Sequence, residues 1–300
     1  MKRREMLLAT GAAVVGLSTF PLRWVAAAER RKRKRAASRQ QKVLYFTRSA
    51  GFEHGAVKRT GDELSISEKT LIEMGNRSGF IVECTKDGKV FDGDLGQYDL
   101  IAFYTSGDLT QPASPKTPQP GSPMSPEGKQ KLLDAIAAGK GFVGIHAATD
   151  SFRNPGKPTV DPYIAMLGGE FIGHGKQQVA KLTVADPKFP GIGKYDSLTL
   201  TEEWYTMAKL AKDLHVILVQ ETAGMEGPLY QRPPFPATWA RMHGQGRVFY
   251  TSFGHRDDIW TNRDVQEIML GGMAWAMRNV EADVTPNIDK VTPKANELKT

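Results

Sequence analysis

Four short runs constrain most strongly what this chain can fold into: residues 42–47, 80–84, 100–104 and 141–145. Each is rich in β-branched, aromatic and aliphatic residues, with almost no polar alternation. A strand that is apolar on both faces is buried on both faces. Helical patterns separate these runs. Leu64, Leu71 and Ile72 share one face of a stretch over 60–74. Ser125-Pro126 supplies an N-cap and a first-turn proline for a helix whose apolar face is Leu132, Leu133, Ile136 and Ala137, closed near Gly139. Strand and helix in alternation predict an α/β fold, a mostly parallel, doubly wound sheet covered by helices on both faces.

The second half is richer in strands, predicted at 178–185, 197–203, 215–220, 237–242 and 247–252. A last amphipathic helix over 263–278 carries Val265, Ile268, Met269, Met273 and Ala276 on one side. Six prolines between 112 and 126 exclude regular structure there, and a second proline-rich loop runs from Pro228 to Pro236. The segment 281–300 reads as a polar, loosely held tail. No internal repeat is present.

Charge enters next, because the 300-residue chain has a formal net charge of +7. Residues 1–41 contain 11 of the 40 Lys and Arg and two of the 33 Asp and Glu. The remainder therefore has 29 basic and 31 acidic residues, a net of −2. A near-neutral fold has no basic footprint for nucleic acid. Residues 1–28 have the order of a signal peptide: Lys2-Arg3-Arg4, then about 15 moderately apolar residues, then Ala26-Ala27-Ala28. The paired arginines favour the twin-arginine route and a periplasmic or otherwise extracytoplasmic location. So short an apolar run predicts no membrane span. Residues 29–41 form a basic linker, read as a solvated segment in preference to an adhesive one. The main domain is expected over 42–280.

Ligands of open parallel sheets bind beyond the carboxyl ends of the strands. Four of the six histidines fall in loops expected on that rim: His54, His146, His174 and His255. Glu203 and Asp257 lie in loops of the same kind. Neutral imidazoles with a carboxylate suit a zinc-like divalent metal. The same groups suit acid–base chemistry near neutral pH, and their spacing leaves both open. Gly144-Ile145-His146-Ala147-Ala148 has the form of a strand-to-helix elbow, where hydrolases and amidotransferases place Ser or Cys. A buried histidine bonded to backbone is the plainer reading of His146. Cys84, the only cysteine, falls inside a predicted strand, which excludes a disulfide framework and leaves a covalent cysteine mechanism without its nucleophile.

Six ordered blocks together resemble the trehalose-utilisation (ThuA-like) family, within the class I glutamine-amidotransferase-like, flavodoxin-like superfamily. They are Gly51-Phe52-Glu53-His54, residues 141–146, Gly168-Gly169-Glu170-Phe171 with His174, Glu202-Glu203-Trp204-Tyr205, residues 236–239, and residues 246–255. The resemblance covers roughly 42–279. It implies an amidotransferase-like fold whose elbow cysteine is replaced, here by His146, and a role in disaccharide and keto-glycoside catabolism. Asp186-Pro187 departs from the family's usual His-Pro.

These readings together define an expected site. His54, His146, His174 and His255 are candidate metal ligands. His146, Glu203 and Tyr205 are candidate catalytic groups, with Tyr205 orienting a carbohydrate substrate. Trp204, Ser106, Asp108 and Asp257 are candidate substrate contacts. A non-catalytic carbohydrate-binding or sensing module is the rival reading.

Overall fold

In the computed structural model the structure describes residues 39–298. The chain divides into two units at Gln40/Gln41, and the sheet, helices and cleft all belong to the second. The predicted signal peptide and nearly all of the basic linker lie outside the described residues.

The parallel half forms as its sequence dictates. Strand β1 (Gln41–Phe46) is followed by helix α1 (Ile66–Ser78), which starts on a capping box between Ser65 and Glu68 and stops at Gly79 in the left-handed region. Strands β2 (Phe80–Thr85) and β3 (Leu100–Phe103) come next, then α2 (Pro126–Ala137), capped by Ser125 with proline in its first turn. Strand β4 (Gly141–Ile145) leads through a 3-10 turn (His146–Asp150) to α3 (Pro162–Leu167).

The second half adds β5 (Glu170–His174), β6 (Gln178–Val184), β7 (Ser197–Glu202), β8 (Tyr205–Ala208), β9 (His215–Gln220), β10 (Phe235–His243) and β11 (Gly246–Thr251). Helices α4 (Asp257–Thr261), α5 (Arg263–Ala276) and α6 (Ile288–Val291) complete the chain.

Nine strands form one mixed sheet in the order β2-β1-β3-β4-β11-β10-β9-β6-β7. Pairing is parallel from β2 through β11 and antiparallel from β11 to β7. The parallel part has the flavodoxin-like order, whose topological switch point lies between β1 and β3. Helices cover both faces of β4. A Cβ at Gly141 would lie 2.5 Å from the Ala276 carbonyl of α5, and one at Gly144 would lie 2.8 Å from Leu167 of α3. Residues three apart on a strand face opposite ways, so α5 and α3 pack on opposite sides.

Two features depart from the sequence reading. Strands β5 and β8 form a separate antiparallel ribbon in stretches expected to be loops. They are short, and β5 carries a bulge between Phe171 and Gly173, so no period of two shows in its sequence. The tail beyond 281 is docked, not loose. Asn287 exchanges two hydrogen bonds with the backbone of Val216 (2.6 and 3.0 Å), and Asn296 does the same with Leu210 (2.9 and 3.0 Å). Ile288 and Ala295 are buried. The polar residues that suggested a solvated tail are the ones that fasten it. Among the described residues, no helix is long and apolar enough to cross a membrane.

Candidate active site

The loops after β1, β4 and β11 each deliver one imidazole to the carboxyl end of the parallel sheet: His54, His146 and His255. Glu203 follows β7 and completes the group. One ligating atom from each of these four residues lies within 4.8 Å of the others. Two of the four, His54 and Glu203, line a cleft of about 690 Å³ together with Phe52, Asp108, Asp150, Phe171 and Tyr205, while His146 and His255 lie behind them. The loops after β1 and β3 close against each other through Ala50 N–H to Ser106 O (2.8 Å). The close approach needs Gly107, whose φ of 75° is left-handed and whose Cβ would fall 2.4 Å from Gly51 N.

His146 occupies the elbow. Its φ is +44°, a conformation that costs energy in any residue with a side chain. Two contacts hold it: Tyr250 donates to the His146 carbonyl (2.8 Å), and His146 Nδ1 donates to the Ser252 carbonyl (2.8 Å). Because that carbonyl only accepts, Nδ1 carries the proton and Nε2 presents its lone pair. Nε2 is buried without a hydrogen-bond partner, 3.6 Å from Glu203 Oε2. Complete burial pushes the His146 pKa down to about 3, so the ring is neutral. Burial also lowers that of His54, whose Nε2 meets the Tyr205 hydroxyl at 3.0 Å. The backbone-bonded buried histidine and the elbow group are thus the same side chain.

Glu203 is the hub. Oε2 lies 3.0 Å from His255 Nδ1 and 3.9 Å from His54 Nε2. Oε1 lies 3.2 Å from His174 Nδ1. Burial disfavours its charge, but the imidazoles of His146, His255 and His54 packed around it outweigh burial and hold the carboxyl well below the usual range. Burial likewise opposes a charge on His255, and Glu203 overcomes it, raising the His255 pKa. The approach of His255 Nδ1 to the carboxylate lacks the alignment of a hydrogen bond, which leaves this nitrogen also without a partner.

Glu202 was not singled out by sequence. Fully buried, it accepts from Glu203 N–H (2.7 Å), Gly254 N–H (2.9 Å) and His255 N–H (3.1 Å). It therefore ties the two segments that carry Glu203 and His255. Burial pushes its pKa up to about 7. Tyr104 and Trp260 both donate to Gly254 O (3.0 and 2.9 Å), fixing the same loop from the other side.

The other expected groups divide. His174 is half-exposed; it touches Glu203 through the oxygen that faces away from the four-residue group. The β5–β8 register sets it opposite Tyr205, and Tyr205 stacks on Phe171 with ring centroids 3.9 Å apart. Asp108 lines the cleft. Trp204, Ser106 and Asp257 do not. Trp204 is fully buried and donates to Gln178 O (2.8 Å), Ser106 donates to Phe52 O (2.6 Å), and Asp257 is exposed in the first turn of α4. Spacing places a residue on a rim but does not say which way its side chain turns. Cys84 sits half-buried in β2, and burial raises its thiol to about 12, far from a reactive thiolate. Phe171, Asp150 and Arg153 line the cleft without having been predicted; Phe171 lies three residues before His174 and Asp150 four after His146.

A flavodoxin-like sheet with three imidazoles and a carboxylate beyond the carboxyl ends of its strands defines the class: an α/β protein with histidine at the elbow. The sequence matches the family described as ThuA, trehalose utilisation, over residues 42–276, and the chain belongs to that family. A putative ThuA-like protein from Parabacteroides merdae superposes with a TM-score of 0.62 at 16% identity, over 82% of this chain and 92% of that one. One from Bacteroides uniformis gives 0.57 at 18% identity, over 79% and 91%. The cytoplasmic protein STM1381 of Salmonella typhimurium gives 0.50 at 13%, over 81% and 100%. At these identities the likeness concerns the fold. No curated protein matches the sequence.

Proposed function

We propose that this protein is a divalent-metal-assisted enzyme of carbohydrate catabolism, acting on a disaccharide or keto-glycoside. The observation that carries the reading is the convergence of His54, His146, Glu203 and His255, two of which, His54 and Glu203, line the cleft. The donor set fits a zinc-like ion. Three nitrogens and a carboxylate oxygen are its ordinary ligands, and two buried ring nitrogens, His146 Nε2 and His255 Nδ1, have no other partner. In this assignment Glu203 is a ligand and His174 stands outside, orienting the second carboxylate oxygen. A divalent ion bound there supplies Lewis acidity to a sugar oxygen or to water.

The cleft supports a neutral, polyhydroxylated ligand. Two of its charged side chains, Lys129 and Asp161, pair with each other (2.7 Å). Phe52, 64% exposed, offers an aromatic face at the cleft for the C–H surface of a sugar. The Tyr205 hydroxyl, held at His54, orients the ligand above the floor. The proposal includes export: the twin-arginine segment delivers the folded, loaded protein to the periplasm. Changing Arg3→Lys and Arg4→Lys together should leave the protein in the cytoplasm, and export unaffected by the pair would contradict that part.

Turnover of a panel of glycosides and keto-glycosides, with and without a chelator, tests the enzyme assignment. Turnover abolished by chelation and restored by zinc or a similar ion is expected. Ligand-induced stabilisation without turnover would make the protein a binding module instead.

A further inference from the structure

We propose that Asp150 is the proton-transfer residue of the cleft, the general acid that protonates a departing sugar oxygen. The inference rests on the enzymatic reading above and assigns a role that Glu203 cannot fill. Two carboxyl groups, Glu203 and Asp150, border the same cleft. In the reading above Glu203 is committed to the ion as a ligand, which leaves Asp150 to carry a proton. Asp150 closes the 3-10 turn that begins at His146, so the elbow and the acid ride on one rigid piece. Gly107 N–H donates to the Asp150 carbonyl (3.3 Å), Phe152 N–H to the Gly107 carbonyl (3.1 Å), and Thr149 bonds Tyr250, which fixes the turn at both ends.

The Asp150 side chain is only 13% exposed, and what is exposed faces the cleft. Three groups act on it, Arg153 from the following loop, His174 from β5 and Tyr205 from β8, and Asp108 from the loop after β3 lines the same cleft. Burial raises its pKa from 3.8 to about 6, while Arg153 and His174 pull the other way. Arg153 is a third exposed, so solvent screens much of its effect. A carboxyl largely buried at the edge of a cleft, beside a second carboxyl held as a ligand, is placed to act as the acid of the pair.

In the proton-transfer step the C–O bond between the anomeric carbon and the leaving oxygen breaks, and its electron pair stays on that oxygen. That oxygen takes the Asp150 proton, and the new carboxylate lies 2.5 Å from Arg153 Nε. A water molecule from the open cleft forms the new bond to the anomeric carbon, and the proton it releases returns to Asp150.

The test compares metal-loaded wild-type and Asp150→Asn protein on two keto-glucosides, one with a methoxy and one with a 4-nitrophenoxy leaving group. Nitrophenoxide leaves without a proton. The variant should lose roughly 100-fold or more in kcat on the methyl glycoside and less than about 10-fold on the nitrophenyl one. Its metal content and thermal stability should match the wild type. Equal losses on both substrates would overturn the assignment while leaving the enzymatic reading intact. Wild-type protein inert on both would overturn the reading itself. A second readout needs no substrate. In protein labelled with carboxyl-¹³C aspartate, the resonance missing from Asp150→Asn should titrate near pH 6, and a midpoint near 3.8 would contradict the proposal.

Discussion

At the residue scale, the site depends on which of two adjacent glutamates does what. Glu203 reaches the imidazoles, while Glu202 turns inward to three backbone N–H groups. Their pH effects on the metal-free fold have opposite signs. Glu203, depressed, stabilises the fold above its ordinary pKa of 4.5, and that contribution is lost as pH falls toward its folded value. Glu202, raised to about 7, contributes stability that is complete below 4.5 and is lost as pH rises through about 7. Glu202→Gln should remove that decline between pH 4.5 and 7, visible in denaturant titrations at several pH values. An amide cannot accept all three bonds, so the variant should also lose about 1–3 kcal/mol overall. Metal affinity should fall about 10- to 100-fold, as for other residues that orient ligands. The sequence pointed to the pair Glu202-Glu203 but not to the division of labour, because both are equally acidic and only burial separates them. The four histidines were legible as a rim. That His174 would face the outer carboxylate oxygen was not, since it depends on the bulged β5.

At the element scale, what could be read was what repeats. Apolar strands and capped helices gave β1 to β4, α2 and α5 nearly to the residue, because their boundaries are set by local chemistry such as the Ser125 cap. The β5–β8 ribbon and the docked tail depend on distant partners and carry no local signature. The close packing on both sides of β4 makes a sharp prediction. Gly141→Ala puts a Cβ 2.5 Å from a backbone carbonyl that cannot step aside, and should cost about 1–3 kcal/mol, read as a lowered Tm. Asn287→Ala should cost a similar ~1–3 kcal/mol, because Val216 N–H and C=O lose their partner together. An unchanged melting curve would mean the tail is not fastened as described.

At the scale of the whole molecule, the charge asymmetry and the fold separate cleanly. The basic excess lies in residues 1–41, and the unit Gln41–Thr300 holds the sheet, the cleft and the tail. Chain beginning at Gln41 should therefore keep a cooperative melt and bind the same metal, since the sheet, the cleft and all four proposed ligands lie within Gln41–Thr300. Every functional group proposed for the protein converges on one place, where loops from β1, β4, β7 and β11 meet. The most direct measurement is the metal content of the purified protein, with the ion located by anomalous scattering. Close to one ion per chain is expected at His54, His146, Glu203 and His255, with its loss in His146→Ala while the fold is retained. Substoichiometric metal that is unchanged by His146→Ala would contradict the metal-centred site.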